Sequence, residues 1–253
     1  MVDEKIKDET AEMRKSLELL WGVEPQPRRG PKPRVTGEQV IAAAIAIADA
    51  EGIDAVSMRS VAERLGLTAM SLYGYVPSKG VLVDAMLDRI LGERAAEPAA
   101  GEHWREGLHR LAHDTWNIYR RHPWALHVTM TRRPFGPNIL AGLEATLRTV
   151  AELGLAPQEM VSVVNTVDDY VHGALAANLE TTRAEQDSGL SNDAWLERHG
   201  ALLGEFATFE DYPTLVELWS SDTLTERHID FEFGLQRVLD GIERYIVTRT
   251  AAG

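Results

Sequence analysis

Two histidines four residues apart are the first side chains in this sequence that could do chemistry. His109 and His113 share one face of a predicted helix, and Asp114 is adjacent. Histidines at this spacing can bind zinc, but a zinc site needs three or four protein ligands, and no third ligand is evident. The His-Glu-x-x-His pattern of zinc peptidases is also missing. We therefore predict no metal site here.

No other catalytic arrangement is recognisable. The sequence has no Ser/His/Asp set and no glycine-rich phosphate loop. The 253 residues include no cysteine, which excludes disulfides and thiolate metal ligands. No apolar run is long enough to span a bilayer, and the N-terminus is charged rather than signal-like. These features predict a soluble cytoplasmic protein that is not an enzyme, needs no cofactor and has no membrane partner.

The charge of the chain is divided unevenly. The formal net charge of -13 argues against a nucleic-acid binder at first sight. Residues 95–253 carry 13 basic and 24 acidic side chains, whereas residues 28–94 carry 9 basic and 8 acidic ones. Local charge decides whether one face can approach phosphates. The nearly neutral N-terminal part therefore remains a candidate for binding DNA.

Residues 36–91 have the spacing of apolar and capping residues that is typical of a helix-turn-helix. Thr36 followed by Gln39 forms a predicted capping box, and Ser57 and Thr68 are further N-caps. Gly66 supplies the tight turn between the second and third helices. The predicted helices cover residues 36–51, 57–65, 68–76 and 78–93.

The third of these helices is the predicted recognition helix. One side carries Leu72 and Val76, which we expect to pack on the second helix, and the other side is left to face the major groove. The two tyrosines of this segment have an alternative role, which is packing against neighbouring residues. The residues predicted to contact bases or phosphates are Arg59, Thr68, Ala69, Ser71, Tyr73, Tyr75 and Lys79.

A basic segment precedes the helix-turn-helix. The ten residues from Pro25 to Arg34 contain four prolines and a glycine, which exclude a helix. Arg28, Arg29, Lys32 and Arg34 give the segment four positive charges. It is either a solvated linker or an arm that contacts DNA phosphates or a minor groove. We include Arg34 among the predicted DNA contacts.

These motifs resemble the DNA-binding domain of the TetR family of one-component bacterial repressors. The matching residues are Arg59, the Ala62-x-x-Leu65-Gly66 turn, Leu72-Tyr73, Tyr75 and Lys79. Arg121-His122-Pro123-Trp124 and Phe231-Glu-Phe-Gly-Leu235 resemble the C-terminal domain of the tetracycline-repressor branch. The resemblance implies an all-helical homodimer that binds a palindromic DNA operator and a small-molecule effector.

One residue departs from the family pattern. Gly74 stands where relatives often carry a basic or other large side chain. Because glycine costs about 1 kcal/mol relative to alanine within a helix, we expect it to interrupt the recognition helix. The helix itself has no basic residue, so positive charge must come from its flanks.

The strong patterns after residue 94 are helical, and the predicted fold class is all-α. A Pro- and Gly-containing stretch after Glu93 predicts a boundary. We divide the chain into an N-terminal helix and arm (1–34), a helix-turn-helix DNA-binding domain (35–94) and a ligand-binding and dimerisation domain (95–253). Residues 181–192 are predicted to form a mobile loop. The other predicted helices cover residues 3–21, 103–121, 124–131, 138–153, 157–180, 194–209 and 225–248.

The predicted effector pocket lies in the part of the C-terminal domain that lines the pocket in relatives. A few polar groups among aromatic side chains is how small-molecule sites are built. The alternatives are that the aromatic residues form core and that the polar stripe of Asn165, Asp169 and His172 is a solvated face. The predicted ligand contacts are Trp104, Trp116, Tyr119, His127, Met130, Phe135, Asn165, Asp169 and His172.

Together these patterns predict a ligand-responsive transcriptional regulator, which the resemblance implies to be a repressor released from DNA by a small molecule. The helices 157–180 and 225–248 are the predicted dimer interface, with an intramolecular core as the alternative. The competing hypothesis for the whole chain is a ligand-independent DNA-binding or protein-interaction module with a solid C-terminal core. A cavity within residues 103–175 would favour the first hypothesis. The helix 78–93 is the predicted pivot.

Overall fold

The computed structural model describes residues 2–23, 35–94, 101–129, 134–203, 206, 211–220 and 231–250. Within these ranges the chain forms twelve α-helices and no strand, which confirms the predicted all-α fold. No described helix is both long and apolar enough to cross a membrane. The helices are α1 (Val2–Leu20), α2 (Gly37–Glu51), α3 (Met58–Arg64), α4 (Ala69–Leu72), α5 (Lys79–Leu91), α6 (Trp104–Arg121), α7 (Trp124–Thr129), α8 (Pro137–Val150), α9 (Pro157–Ser188), α10 (Asn192–Leu203), α11 (Pro213–Ser220) and α12 (Phe231–Thr250).

Helices α2 to α5 share one core. The predicted capping box is confirmed, because the Thr36 hydroxyl accepts a hydrogen bond from the Gln39 backbone N–H, and the Gln39 side chain accepts one from the Thr36 N–H. Val40, Ala44 and Ile47 of α2 are buried, and α2 packs against α5. The apolar stripe read from the sequence therefore forms the inner face of α2.

The recognition helix is shorter than the sequence predicts. Helix α4 ends at Leu72, with Tyr73 as its C-cap. Gly74 therefore follows the helix and does not interrupt it, which corrects our expectation. The Gly74 N–H donates to the Ser71 carbonyl oxygen, and a Cβ at Gly74 would lie 3.2 Å from that oxygen. The chain turns so closely there that a side chain would crowd the end of the helix.

Helix α1 docks on α5, although its sequence was compatible with either docking or fraying. The Ser16 hydroxyl is buried and donates to the Asp84 carboxylate at 2.8 Å. Beyond the helix, the Trp21 indole N–H donates to the Phe135 carbonyl oxygen at 3.0 Å. These two contacts join α1 to helix α5 and to the segment before α8.

Helix α9 is longer than predicted. The sequence placed its end near residue 180 and a loop over 181–192, but the helix continues to Ser188 and ends at Gly189, whose φ is 67°. The hydroxyls of Thr181 and Thr182 donate to carbonyl oxygens four residues earlier. The polar composition therefore marks an exposed helix and not a loop, because hydroxyl side chains can bond back to the helix they belong to.

Other differences concern the helices around and after α9. Val161 was predicted to face the core, but its side chain is 48% exposed. Val163 is buried instead. Helix α10 is described from Asn192 to Leu203, and the rest of its predicted range, apart from Phe206 in a turn, lies outside the described residues. Helix α11 was not predicted. The predicted start of the last helix, 225–230, lies outside the described residues, and α12 is described from Phe231.

A row of polar contacts joins α6 to α12, and we call it the α6–α12 seam. Arg105 donates to Gln236, Asp240 and Glu243 at 2.6–2.9 Å. Further along, Glu232 accepts hydrogen bonds from Gln236 and from two histidines of α6, and these bonds lower the pKa of Glu232 to about 2. At the end of the row, Trp116 stacks on Phe231 with ring centroids 4.3 Å apart.

Asp49 links α2 to the junction between α6 and α7. One Asp49 carboxylate oxygen lies 2.8 Å from the His122 Nδ1 atom and accepts the Trp124 indole N–H at 2.8 Å. Both partners are buried. The carboxylate of Glu93, just after α5, forms an ion pair with Arg121 at 2.7 Å in the same region. The DNA-binding part and the C-terminal part are therefore joined by hydrogen bonds to buried groups.

Removal of the Asp49 carboxylate is expected to destabilise the fold. Asp49→Ala leaves the buried His122 and Trp124 nitrogens without this acceptor, and such a loss costs about 1–3 kcal/mol. Urea denaturation of the full chain measures the change in the free energy of unfolding. The control is Asp54→Ala in the exposed turn before α3, which we expect to change stability by no more than about 0.5 kcal/mol. Equal stability of the two variants would contradict the importance of this link.

Candidate DNA-binding surface and ligand cavity

The helix-turn-helix geometry follows from its caps and its turn. Gly66 has a φ of 66°, which glycine adopts without strain, and the next N–H, of Leu67, donates to the Ala62 carbonyl oxygen at 2.8 Å. The Thr68 hydroxyl then accepts from the Ser71 backbone N–H and starts α4. Leu72 and Val76 are fully buried, so they fix α4 against the core and leave its other side outward.

Two large side chains project from the outer side of the recognition helix. Met70 is 81% exposed and Tyr73 is 50% exposed. Because they are three residues apart in a helical segment, they lie on the same face. Ser71 is also exposed, whereas Ala69 and Tyr75 are half-buried, and Tyr75 packs partly against the core. Met70 was absent from the predicted contacts. Its position between Ala69 and Ser71 was the signal that could have identified it.

The predicted cationic contacts flank this face. Lys79 is exposed in the first turn of α5, which the Ser78 hydroxyl caps. Arg59 forms an ion pair with Glu63 at 2.8 Å, and this hydrogen bond raises the pKa of the Arg59 guanidinium above its ordinary value. Arg59 must therefore exchange or share that partner to bind a phosphate. Arg34, and with it the basic arm residues Arg28, Arg29 and Lys32, lies outside the described residues.

A cavity of about 170 Å³ lies between α6, α8 and α9, beside the C-terminal end of α5. Most of its wall is apolar, and a few polar or charged groups interrupt it, which is the composition of a small-molecule site. The polar lining residues are Arg94, Thr115, Asn138, Thr146, Asn165 and Asp168. The apolar ones are Leu91, Leu108, Leu111, Ala112, Pro134, Phe135, Ile139, Leu140, Leu143, Val164, Val167 and Val171.

Of the residues predicted to contact a ligand, Phe135 and Asn165 line this cavity. Trp116 instead stacks on Phe231, and Trp104 is half-buried against the core. Tyr119 is fully buried, with its ring 5.1 Å from that of His172.

The remaining predicted ligand contacts lie away from the cavity lining or are not described. His172 bonds to the Asp168 carbonyl oxygen, and His127 and Asp169 are exposed. Met130 lies outside the described residues.

Asp88 connects α5 to the wall of this cavity. Its buried carboxylate accepts the Ile139 backbone N–H at 3.0 Å and the Asn138 side-chain N–H at 3.0 Å, in the first turn of α8. Burial raises the pKa of Asp88 above its ordinary value, and the hydrogen bonds from Ile139 and Asn138 partly oppose that shift. Since Asn138 and Ile139 both line the cavity, α5 and the cavity wall share one buried contact.

A helix-turn-helix with an outward recognition face, attached through α5 to a helical body with an apolar cavity, defines a ligand-responsive DNA-binding regulator. Residues 40–86 match the family described as "Bacterial regulatory proteins, tetR family", and residues 97–246 match "Tetracyclin repressor-like, C-terminal domain". The chain belongs to the TetR family of transcriptional regulators.

Individual relatives agree with this assignment. The chain is 40% identical over 242 residues to the HTH-type transcriptional repressor DrrR1 of Streptomyces coeruleorubidus, covering 95% of this chain and 89% of that protein. It is 28% identical over 220 residues to the class A tetracycline repressor of Escherichia coli, covering 85% and 94% of the two chains.

Solved structures share the fold. The structure resembles apo ActR of Streptomyces coelicolor with a TM-score of 0.69 at 24% identity, covering 87% of this chain and 100% of ActR. It resembles ActR in complex with actinorhodin with a TM-score of 0.68 at 25% identity, covering 82% and 95% of the two chains.

Asp88→Asn is expected to change how stability depends on pH. Because the folded-state pKa of Asp88 is raised, the folded state holds this proton more tightly than the unfolded state does. Ionisation of Asp88 therefore costs stability as pH rises from below the ordinary value of 3.8 through the raised value. We expect the free energy of unfolding of D88N, relative to the native chain, to increase from acidic to neutral pH in urea titrations.

The control for this titration is Asp54→Asn, at an exposed position in the DNA-binding part. A D88N difference that does not change between acidic and neutral pH, measured beside D54N, would show that burial does not govern the ionisation of Asp88.

Proposed function

We propose that this protein is a homodimeric repressor that binds a palindromic operator and leaves it when a small molecule enters the α6–α8–α9 cavity. The observation that carries the proposal is the Asp88 contact, because it joins the cavity wall to the helix that bears the DNA-binding part. The repressor name of the relative DrrR1 and the actinorhodin complex of ActR support it.

Met70, Tyr73 and Ser71 are the proposed base-contacting residues, since they occupy the exposed face of the recognition helix. Apolar and hydroxyl side chains can contact thymine methyl groups and base edges in the major groove. Lys79 and Arg59 are the proposed phosphate contacts, which fix the register on DNA without reading its sequence. Thr68, Ala69, Tyr75 and Arg34 remain predicted contacts.

The proposed dimer interface is formed by α9 and α12. These helices pack on each other, and each leaves large apolar side chains exposed in the single chain. Val161 of α9 and Phe233, Tyr245 and Val247 of α12 are each between 45% and 60% exposed. A two-fold dimer burying these residues would present two recognition helices to successive major grooves, as a palindromic operator requires.

The size of the cavity supports a mechanism of release. At about 170 Å³ it is smaller than the roughly 300–1,000 Å³ of usual ligand sites. An effector of ordinary size therefore either extends past the exposed rim or pushes a wall aside, and one wall is the start of α8 that Asp88 ties to α5. A ligand that binds the displaced state more tightly shifts the population toward dimers whose recognition helices no longer fit the operator.

The lining indicates the chemical class of the effector. Twelve of the eighteen lining residues are apolar, so the ligand is mostly apolar, and Arg94, Asp168 and the lining amides and hydroxyls offer partners for a few polar groups. The cavity favours this function over a ligand-independent module with a solid core. We infer that the chain acts as a regulator and not as an enzyme, and that it works in the cytoplasm, where its DNA lies.

The DNA-binding face is tested with fragments of the promoter regions next to the gene, by fluorescence anisotropy at several salt concentrations. Tyr73→Ala should weaken binding about tenfold or more with an unchanged salt slope, because a base contact is worth roughly 1–3 kcal/mol. Lys79→Ala should weaken binding and reduce the salt slope by about one per subunit, because a phosphate contact is lost. Arg198→Ala on the exposed side of α10 is the control, and native-like binding by Y73A and K79A would refute this surface.

The effector site is tested by narrowing the cavity. Leu143→Trp places a bulky ring at the half-exposed rim, whereas Leu202→Trp on α10 makes the same change at an equally exposed leucine away from the cavity. Actinorhodin and minocycline, which similar proteins hold in their structures, serve as probes for release of the promoter DNA. We expect a probe to release the native chain from the promoter DNA. For the same release, L143W should need a probe concentration on the order of tenfold higher.

The L202W variant should respond as the native chain does, and both variants should keep native DNA affinity without a probe. Equal responses of L143W and L202W would contradict an effector site in this cavity. Failure of both probes to release the native chain would contradict the proposed ligand class.

A further inference from the structure

Three side chains outside the DNA-binding face and the cavity converge on one point of the α6–α12 seam. His109 and His113, one helical turn apart on α6, both direct their Nε2 atoms at the carboxylate of Glu232 in the first turn of α12. The His109 Nε2 atom lies 2.9 and 3.0 Å from the two carboxylate oxygens, and the His113 Nε2 atom lies 3.0 Å from one of them. The possible ligand atoms of these residues all lie within 4.8 Å of one another.

The histidine–carboxylate separations are close to those of a tetrahedral metal site. An ion with bonds of about 2.0–2.1 Å to histidine nitrogen and carboxylate oxygen holds its ligand atoms about 3.3 Å apart. The histidine–carboxylate distances of 2.9–3.0 Å need to increase by only a few tenths of an ångström to admit such an ion. Two imidazoles and one carboxylate are also a donor set that binds Zn²⁺ with water as the fourth ligand.

We propose that His109, His113 and Glu232 bind one Zn²⁺ ion per chain. All three side chains are between a third and a half exposed, so an ion and its water can reach them. The site is separate from the proposed effector cavity, because none of the three residues lines it, whereas Leu108, Leu111 and Thr115 of the same helix do.

Neighbouring residues already hold the ligands in place. The Gln236 side chain donates to one Glu232 oxygen at 2.7 Å and so orients the carboxylate. The ring of Phe231 meets the ring of His113 edge-on, with centroids 5.1 Å apart. Supporting contacts of this kind fix ligand orientation and raise metal affinity.

A bound ion would fasten the first turn of α12 to the middle of α6. That end of the seam is also held by the histidine–carboxylate hydrogen bonds, by the packing of Phe231 on Trp116 and His113, and by the Tyr170 hydroxyl of α9, which donates to the Phe231 carbonyl oxygen. Arg105 secures the other end. Zinc therefore stabilises the attachment of α12 to the body of the chain. Because a ligand that binds only the folded state stabilises it by mass action, zinc should raise the unfolding temperature.

The test uses the full chain without a histidine tag, freed of metal by a chelator. Isothermal titration with ZnCl₂ should give one site per chain for the native protein. His109→Ala, His113→Ala and Glu232→Gln should each weaken that site by about tenfold or more, since even loss of a supporting residue costs 10- to 100-fold. The control His199→Ala removes an exposed histidine of α10 and should bind zinc as the native chain does.

A second measurement covers the case in which a variant folds poorly. CoCl₂ added to the native chain should give the visible absorption of a four- or five-coordinate ion, and ZnCl₂ should raise the unfolding temperature where MgCl₂ does not. Absence of a one-to-one site in the native chain would overturn the proposal and leave a hydrogen-bonded cluster. Zinc binding that survives in H113A and E232Q, or is lost in H199A, would overturn it as well.

Discussion

Helix α5 is buried against several neighbours at once, and both halves of the chain depend on where it lies. It packs on α1, α2, α6 and α8, and its residues Leu82, Met86, Leu87 and Ile90 are fully buried. Close-packed interiors transmit displacement because they contain little free volume. A shift of the C-terminal end of α5 therefore moves α2 and the recognition helix with it. This constraint explains how one helix can couple a cavity in the C-terminal part to a DNA-binding face in the N-terminal part.

Two carboxylate contacts determine how tightly that coupling is held, one from the buried Asp88 and one from Asp49, whose own side chain is partly exposed. Asp88 ties α5 to the first turn of α8, and Asp49 ties α2 to the buried His122 and Trp124. A carboxylate that has exchanged water for a few protein hydrogen-bond donors is stable only while those donors stay in place, because an unpaired charge away from water costs free energy. The two contacts thus favour one arrangement of the two parts. In the mechanism proposed above, an effector binds more tightly to an arrangement in which the Asp88 contact is strained or broken, since equal affinity for both arrangements would shift nothing.

Local patterns predicted the fold better than they predicted the sites. The Thr36 capping box, the Gly66 turn and the order of the helices follow from short-range rules, and the structure agrees with them. The extension of α9 was missed because polar residues after residue 180 resemble a loop until their back-bonds to the helix are known. Glu232 was missed as a partner of His109 because the two lie 123 residues apart, and only packing of α6 on α12 brings them together. The cavity lining likewise depends on how three helices meet, so composition identified only Phe135 and Asn165.

The distance between the two recognition helices of the dimer is the most direct measurement of whether the contact between α5 and α8 controls the DNA-binding face. The chain has no cysteine, so Met70→Cys creates one labelling site on the exposed face of each recognition helix. Double electron–electron resonance between spin labels at this position reports the spacing that must match successive major grooves, about 34–36 Å apart. We predict that adding Asp88→Ala shifts or broadens the distance distribution, because α5 is released from α8, whereas adding Asp54→Ala does not. Identical distributions for the two folded dimers would contradict the control of recognition-helix spacing by the contact between α5 and α8.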